Sequence, residues 1–470
     1  MIEARRVQPP HWALISLGIG AYAALVASAP SPVLRTALVA PLALAILAFW
    51  TLATPHRWIA GFMAAALLLP PLPLPLGDSG PHLCLLFAAL GIFAGALYIR
   101  DWRITAGPFP RALLCLFSIL LASTAFAAFY SGLEIALQTL ARALLFGVSV
   151  YVFFYAACMR PADHPSGLRL LFWLATASAA IACVDFYFQL PAPAGFGPQF
   201  IWIGAGVYRR AQGVFYEAST LGNLSAFFLV MIAVAFTRRP ERLPVSRPAL
   251  VAGGVLFSAA LIFSYSRASV AGLLVALASL AWLDRSRICW RRALSLLGIS
   301  VTAGATVSYY FLPQIVQAAW QRLSGSAIYL FDYGEDIFSG RFESWRVLLN
   351  FLAAHPWHAV FGLGYKTLPY SDYIGQAVIG DNMYLSMLIE TGIIGLAVLL
   401  WFNLAILNAA RRSALHADPD ASFFGTWMFC FWLGQCVQML SSDLLTFWRV
   451  LPVYFLVLAW AARASRAPAP

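Results

Sequence analysis

Stretch after stretch of this chain stays apolar for about the 18–20 residues that a helix needs to cross a bilayer. "RALLCLFSILLASTAFAAFY" at 111–130 is an example. Hydrophobic residues make up 61% of the 470 and charged ones only 10%, against about a quarter charged in an average soluble chain. A soluble fold of this composition would expose large apolar patches. The fold class expected is therefore an all-α polytopic membrane protein.

Helices are expected near 12–28, 33–53, 57–76, 82–99, 111–130, 133–159, 168–190, 213–236, 248–264, 268–284, 292–311, 383–407, 422–440 and 444–460. That amounts to about 12–14 spans. The first segment lies too deep in the series to be a cleaved leader. None of the seven cysteines falls in a Cys-x-x-Cys pair, so neither a disulfide framework nor a zinc site is expected. No internal repeat is visible, which weakens transporter folds built from duplicated halves.

Most of the 30 Lys and Arg fall in alternate short loops. The positive-inside rule then puts both termini in the cytoplasm. The net charge of +11 thus reports topology, and nucleic acid is not an expected partner. Arg35, Arg142, Arg209, Arg210, Arg267, Arg322, Arg341, Arg346, Lys366 and Arg449 break the pattern. Positive charge on the outer side works against insertion, so these point to an anionic ligand there.

Four regions follow: 1–190, membrane helices; 191–311, membrane helices with the outer arginine motifs; 312–382, one large outer loop; and 383–470, the C-terminal helices. In the loop, "GRFESWRVLLNFLAAHPW" places Phe342, Trp345, Leu348, Leu349 and Leu352 at helical spacing. It reads as an amphipathic helix ended by His355-Pro356, lying on the membrane or roofing a cavity. "FDYGED" (Asp332, Glu335, Asp336) reads as a solvated acidic loop, its spacing matching no specific cation site. The second long outer segment, 191–212, is rich in Pro and Gly and ends in Arg209-Arg210.

Several polar groups stand where apolar ones are expected. Charges inside membrane helices are rare and face a cavity or a partner. Glu134, Gln138 and Arg142 form one stripe on a helix face. For Asp443 and Arg449, flanking the start of the last span, mutual pairing is expected. "SYSRAS" at 264–269 places Arg267 in a tight turn, and "YRRAQGVFYEAST" places Arg209 and Arg210 before Glu217. Gln212-Gly213 implies close backbone approach by another group. In "GDNMYLSMLIETGIIG", Asp381 or Asn382 can cap the helix. Glu390 lies about 13 Å deeper, too deep for a cap, and needs a polar partner; Arg142 is a candidate.

The ordered set "RRAQGVFYEAST", "SYSRAS", the outer loop with "GRFESW" and "HPWHAVFGLGY", and "DNMYLSMLIETGIIG" resembles the O-antigen ligase/polymerase superfamily over roughly 200–460. The resemblance implies a GT-C-like fold in the bacterial inner membrane with its active site facing the periplasm. It implies a glycosyltransferase without metal or other cofactor. The donor would be a glycan on undecaprenyl diphosphate. The acceptor would be a repeat unit for a polymerase, or lipid A–core for a ligase. Arg210 matches the arginine of the family's R-x-x-G segment and Arg267 that of its S-R turn, both expected on the diphosphate with Arg209 and Arg341. Ligases usually carry His-Asn or His-Ser before the Tyr-Leu of the last motif. Asp381 stands there instead, which leans towards a polymerase. Asp381 is the expected base, with Glu217 its rival and Asn382, Tyr384 and Glu390 in support. A carboxylate beside the outer arginines is expected to be ionised. Direct attack at the anomeric carbon needs no second carboxylate for a covalent intermediate. A ligase within the same superfamily and a lipid or solute transporter stay open as alternatives.

Overall fold

The computed structural model describes residues 11–54, 56–72, 81–103, 107–158, 164–191, 196–203, 206–238, 245–286 and 341–464. The expected span at 292–311, the acidic cluster 332–336 and Arg322 lie outside the described residues. Helices α1 (His11–Ser28), α2 (Pro32–Leu52), α3 (Arg57–Leu68), α4 (Cys84–Leu97), α5 (Pro108–Ser131), α6 (Leu133–Cys158) and α7 (His164–Phe188) come first. They are followed by α8 (Ala218–Thr237), α9 (Arg247–Phe263) and α10 (Arg267–Leu283). After the undescribed stretch come α11 (Arg341–Ala354), α12 (His358–Phe361), α13 (Met383–Ala414), α14 (Pro419–Gln438) and α15 (Leu451–Ala464). Among the described residues, α2, α5, α6, α7, α8 and α13 are long and apolar enough to cross a membrane, and α3, α4, α9, α10 and α15 are shorter apolar helices. The chain is an all-α polytopic membrane protein.

The helix ends follow local chemistry. Ser31 accepts from the Leu34 N–H, Asp418 from Ala421 and Ser266 from Ser269, each with its side-chain oxygen at an N-cap. Pro32, Pro419 and Pro248 stand at the first or second helical position, where a missing N–H costs nothing. The span expected at 57–76 stops at Leu68, ahead of Pro70-Pro71. The span expected from 444 opens as a 3-10 turn over Leu444–Thr446 capped by Asp443, and its α-helix starts only at Leu451, with Pro452 in the first turn.

Helix α14 is buried along most of its length and packs against α10, α13 and α15. Its polar groups are satisfied inside the bundle. Asn223 donates to Gln435 (2.8 Å) and Gln438 (2.9 Å), Gln438 donates to Ser269 (3.3 Å), and Tyr454 donates to Asn223. This network joins α8, α10, α14 and α15, and in a low-dielectric interior a satisfied network rigidifies what it links. Large apolar side chains such as Phe49, Phe93 and Phe129 stay exposed on the periphery, as a lipid-facing surface requires.

Two features go beyond what was expected from the sequence. Within 191–212, Phe200–Ile203 (β1) and Gly206–Arg209 (β2) form a short antiparallel hairpin, Phe200 opposite Arg209; the aromatic and β-branched residues of "FIWI" and "GVYR" favour it. Helix α11 forms where its spacing predicted, but its buried face is Leu348 and Phe351, while Phe342 and Leu349 are exposed. That face closes a small second core with Leu363, Leu368, Val378 and Ile389.

Candidate functional site

Helix α13 breaks inside its apolar run. Gly392 has φ +73° and ψ −177°, leaving the helical region. The break releases carbonyls that a regular helix would use internally. The loop after α12 takes them: Leu363 N–H donates to Ile389 O (3.0 Å) and Gly364 N–H to Glu390 O (2.8 Å). Polypeptide that is not helical is tolerated at such depth only where protein or a cavity surrounds it. Tyr365 and Lys366 follow directly. Thr139 donates to the Tyr365 carbonyl at 2.8 Å and Arg142 to the Lys366 carbonyl at 3.2 Å.

This loop forms part of the wall of a cavity of about 590 Å³. Its charged wall residues are Arg142, Glu217, Arg341, Lys366, Asp381, Asp443 and Arg449. Lys366 Nζ lies 2.5 Å from Asp443 Oδ2, both nearly buried. Burial works against the Lys366 ammonium, but the Asp443 and Glu390 carboxylates outweigh it and hold its pKa above the usual lysine value. Asp443 Oδ1 also accepts from Leu445 N–H at 2.9 Å. Arg449 does not pair with Asp443 as expected. It donates to the carbonyls of Val214 (2.7 Å), Ala66 and Leu69 (both 2.6 Å) and lies over the Phe215 ring. Ala66 and Leu69 belong to the end of α3, whose last carbonyls need donors. The charge of Arg449 therefore serves the joint between α3 and the segment before α8.

Glu217 and Asp381 both reach the cavity, from opposite directions in sequence. Glu217 is the N-cap residue of α8, but its side chain does not cap. Gln199 does so instead, accepting from Ala218 N–H at 3.1 Å. The Glu217 carboxylate is left to accept from Thr220 Oγ1 at 2.6 Å. Burial pushes its pKa up, against the opposing pull of Thr220, Lys366 and Arg210. Asp381 and Asn382 divide their roles in the same way. Asn382 Oδ1 caps α13, accepting from Tyr384 N–H (3.0 Å) and Leu385 N–H (3.1 Å). Asp381 Oδ2 is left to accept from Arg341 Nε at 2.9 Å.

Arg210 and Arg267 neighbour Arg341 rather than line the cavity. Burial pushes the Arg210 guanidinium down to about 10; Glu217 opposes the shift, and the positive charges of Arg341 and Arg267 add to it. The Arg210 segment is stitched to the 264–269 turn: Arg210 Nε donates to Ser264 O (2.8 Å) and Ala211 N–H to Phe263 O (2.8 Å). Arg209 lies apart, in an ion pair with Asp185 at 3.2 Å. The close approach expected at Gly213 (φ +54°) comes from α7, since a Cβ there would lie 2.8 Å from the Ala182 Cβ. Tyr384 turns to α14 and donates to the Cys436 carbonyl at 2.9 Å. Glu390 is buried, and its carboxylate faces the backbone N–H groups of Lys366 and Leu368 and the Lys366 charge; Arg142, its expected partner, donates instead to the Lys366 carbonyl of that same loop. Tyr216 (φ +55°), Tyr265 (φ +50°) and Lys366 (φ +59°) all adopt left-handed backbone, a conformation costing of order 1–3 kcal/mol each that clusters at functional sites.

Residues 252–400 match the family model described as O-Antigen ligase. Over that stretch the chain is similar to the O-antigen ligase family. No curated protein matches the chain. The matched stretch runs from α9 into α13, taking in Arg267, Arg341, Lys366, Asp381 and Glu390. Glu217 precedes it, and Asp443 and Arg449 follow it, so the cavity is completed by elements on both sides. The match supports a glycosyltransferase-type enzyme acting on lipid-linked glycan and acceptor substrates. Lys366 and Asp443 were missed as site residues from sequence. Lys366 stood among the outer cations that break the arginine bias, and that anomaly was the signal for it.

Proposed function

We propose that this chain is an inner-membrane glycosyltransferase that moves a glycan from undecaprenyl diphosphate to an acceptor sugar hydroxyl at the periplasmic face, as a repeat-unit polymerase. The observation that carries the proposal is the gathering of Arg210, Arg267 and Arg341 within electrostatic reach of one another, next to a cavity with carboxylates in its wall. Clustered guanidinium groups repel, and the arrangement is favourable once a dianionic diphosphate lies among them.

The reaction asks two things of the protein. The anomeric C–O bond to the diphosphate breaks as the acceptor oxygen attacks, so negative charge grows on the leaving phosphate. Preorganised arginines in a partly dry site stabilise that charge without reorganising. The acceptor hydroxyl must lose its proton to a base whose pKa lies near the working pH. Glu217, partly buried with its pKa raised by desolvation, suits the base better than Asp381, whose carboxylate is engaged by Arg341. We assign Asp381 to holding Arg341 against the donor. Attack and departure on opposite faces invert the anomeric centre.

A ligase is the second reading, favoured by the description of the matched family. The purified full chain, offered undecaprenyl-diphosphate-linked repeat units with and without lipid A–core, separates the two. Chain growth without lipid A–core supports the polymerase. Product only on lipid A–core supports the ligase. Donor consumed by neither route, or crossing a vesicle unchanged, overturns the glycosyltransferase reading in favour of transport.

A further inference from the structure

A second cavity, of about 460 Å³, lies at the opposite end of the helices that build the first. Helix α3 touches the candidate site at its C-terminal end, where Ala66 and Leu69 meet Arg449, and the second cavity at its N-terminal end, with His56 and Arg57. Helix α15 repeats the pattern, following directly on Arg449 at one end and reaching the second cavity with Arg463 at the other. Helix α6 does the same, lining the first cavity with Arg142 and Leu145 and the second with Ala156. Twelve residues of α3 at 1.5 Å each span about 18 Å, so the two cavities face different sides of the bundle. The arginine bias assigns the second side to the cytoplasm.

The chemistry of the second cavity is divided. Its floor is apolar, made by Ile59, Met63, Leu171, Leu174, Leu456 and Trp460. The same wall carries Arg57, Arg463 and His56, and among the described residues it includes no carboxylate. Leu170 in the same wall is 41% exposed, so the cavity opens sideways to the surroundings of the bundle. Arg463 Nη1 donates to the Ala156 carbonyl at 2.9 Å and Arg57 Nη1 to the Trp50 carbonyl at 3.2 Å; these bonds fix both guanidinium groups at the rim. Two arginines held above an apolar slot match an anionic headgroup above an acyl chain, and basic pockets between membrane helices on the cytoplasmic side bind such headgroups.

We propose that this cavity is a binding site for an anionic glycerophospholipid of the cytoplasmic leaflet. The phosphate sits between Arg57 and Arg463, and one acyl chain lies along Ile59, Met63 and Leu174. The site is independent of the catalytic reading and holds whether the chain is a polymerase or a ligase.

The test uses the full chain reconstituted in nanodiscs of mixed phosphatidylglycerol and phosphatidylcholine, released into the gas phase for native mass spectrometry. The wild type is expected to retain phosphatidylglycerol preferentially. Each basic group near the surface is worth about fivefold in affinity, so the pair Arg57→Gln and Arg463→Gln lowers retention about thirtyfold, while Arg57→Lys with Arg463→Lys keeps most of it. Ala60→Phe, which leaves both arginines and fills the slot, lowers retention by excluding the acyl chain and guards against a misfolded double variant. Equal retention of phosphatidylcholine by the wild type overturns the proposal, as does unchanged phosphatidylglycerol in Ala60→Phe and in the glutamine pair. Preferential capture of undecaprenyl phosphate added to the same nanodiscs also overturns it, by reassigning the slot to a polyprenyl chain.

Discussion

Arg341 Nε donates to Asp381 Oδ2 across 2.9 Å, tying the first residue of helix α11 to the residue before the cap of α13. The two side chains are 26% and 41% exposed. At that exposure an ion pair contributes about 0–1 kcal/mol to stability, so a structural purpose alone explains it poorly. If Asp381 aims Arg341 at the donor, the two act as one unit. Arg341→Ala, Asp381→Ala and the double variant should all lose transfer by a similar factor, about 10²–10³ as for loss of one preorganised donor, with melting temperatures barely moved. Initial rates with a lipid-linked donor and melting curves in detergent check this. Additive losses in the double variant would dismiss the unit.

The Glu217 carboxylate has its pKa raised by burial, so the folded chain holds that proton more tightly than the unfolded chain does. The sign follows: the stability tied to this group is present below the ordinary glutamate value of about 4.3 and is lost as pH rises through the raised folded value. Glu217→Gln mimics the protonated form and should melt higher than the wild type at about pH 8, with the gap closing near about pH 4. Transfer should behave oppositely. The variant loses about 10²–10⁴ in kcat as a missing base, and the wild-type acid limb lies above the ordinary glutamate range. A wild-type limb that persists unchanged in Glu217→Gln sinks the assignment of the base.

Lys366 and Asp443 form the innermost ion pair of the cavity wall, with side chains 12% and 8% exposed. Removing one member of a buried pair strands the other and costs about 3–5 kcal/mol, whereas replacing both by apolar groups of similar size is often neutral. Lys366→Met removes the ammonium facing Glu390 in the single and the double alike, so the two differ only in whether Asp443 is left stranded. The single variant is therefore expected to melt far below Lys366→Met with Asp443→Leu. Thermal unfolding in detergent of both singles and the double measures the coupling. A double variant no more stable than the worse single would mean that the pair is not coupled.

How much of this was legible beforehand depends on whether the signal was local. Apolar length marks helices one at a time, so helix is found at each expected span within the described residues. The arginines that violate the topological bias are also a local signal, and Arg142, Arg341, Lys366 and Arg449 all reach the cavity. Partner choice is not local. Asp443 pairs with Lys366 instead of Arg449, and Asp185 takes Arg209 away from Arg210, because each pairing depends on which loop folds back between which helices. The hairpin at 200–209 was hidden because the Pro and Gly around it dominate the composition, while its strands are only four residues each.

The break in α13 decides whether that fold-back is possible. At Gly392, φ +73° is disfavoured for any side chain, and a Cβ there would lie 2.1 Å from the Val360 carbonyl oxygen. Gly392→Ala must therefore either strain the backbone, at about 1–3 kcal/mol, or restore a continuous helix. A continuous helix reclaims the carbonyls of Ile389 and Glu390 for its own turn and releases Leu363 and Gly364. Since Lys366 follows in the same loop, releasing it also breaks the contact with Asp443. The expected outcome is faster amide hydrogen exchange at 363–368, with exchange in α8 and α14 unchanged, and loss of transfer. Unchanged exchange at 363–368, with transfer intact, would show that the loop is held by its side-chain contacts and not by the broken helix.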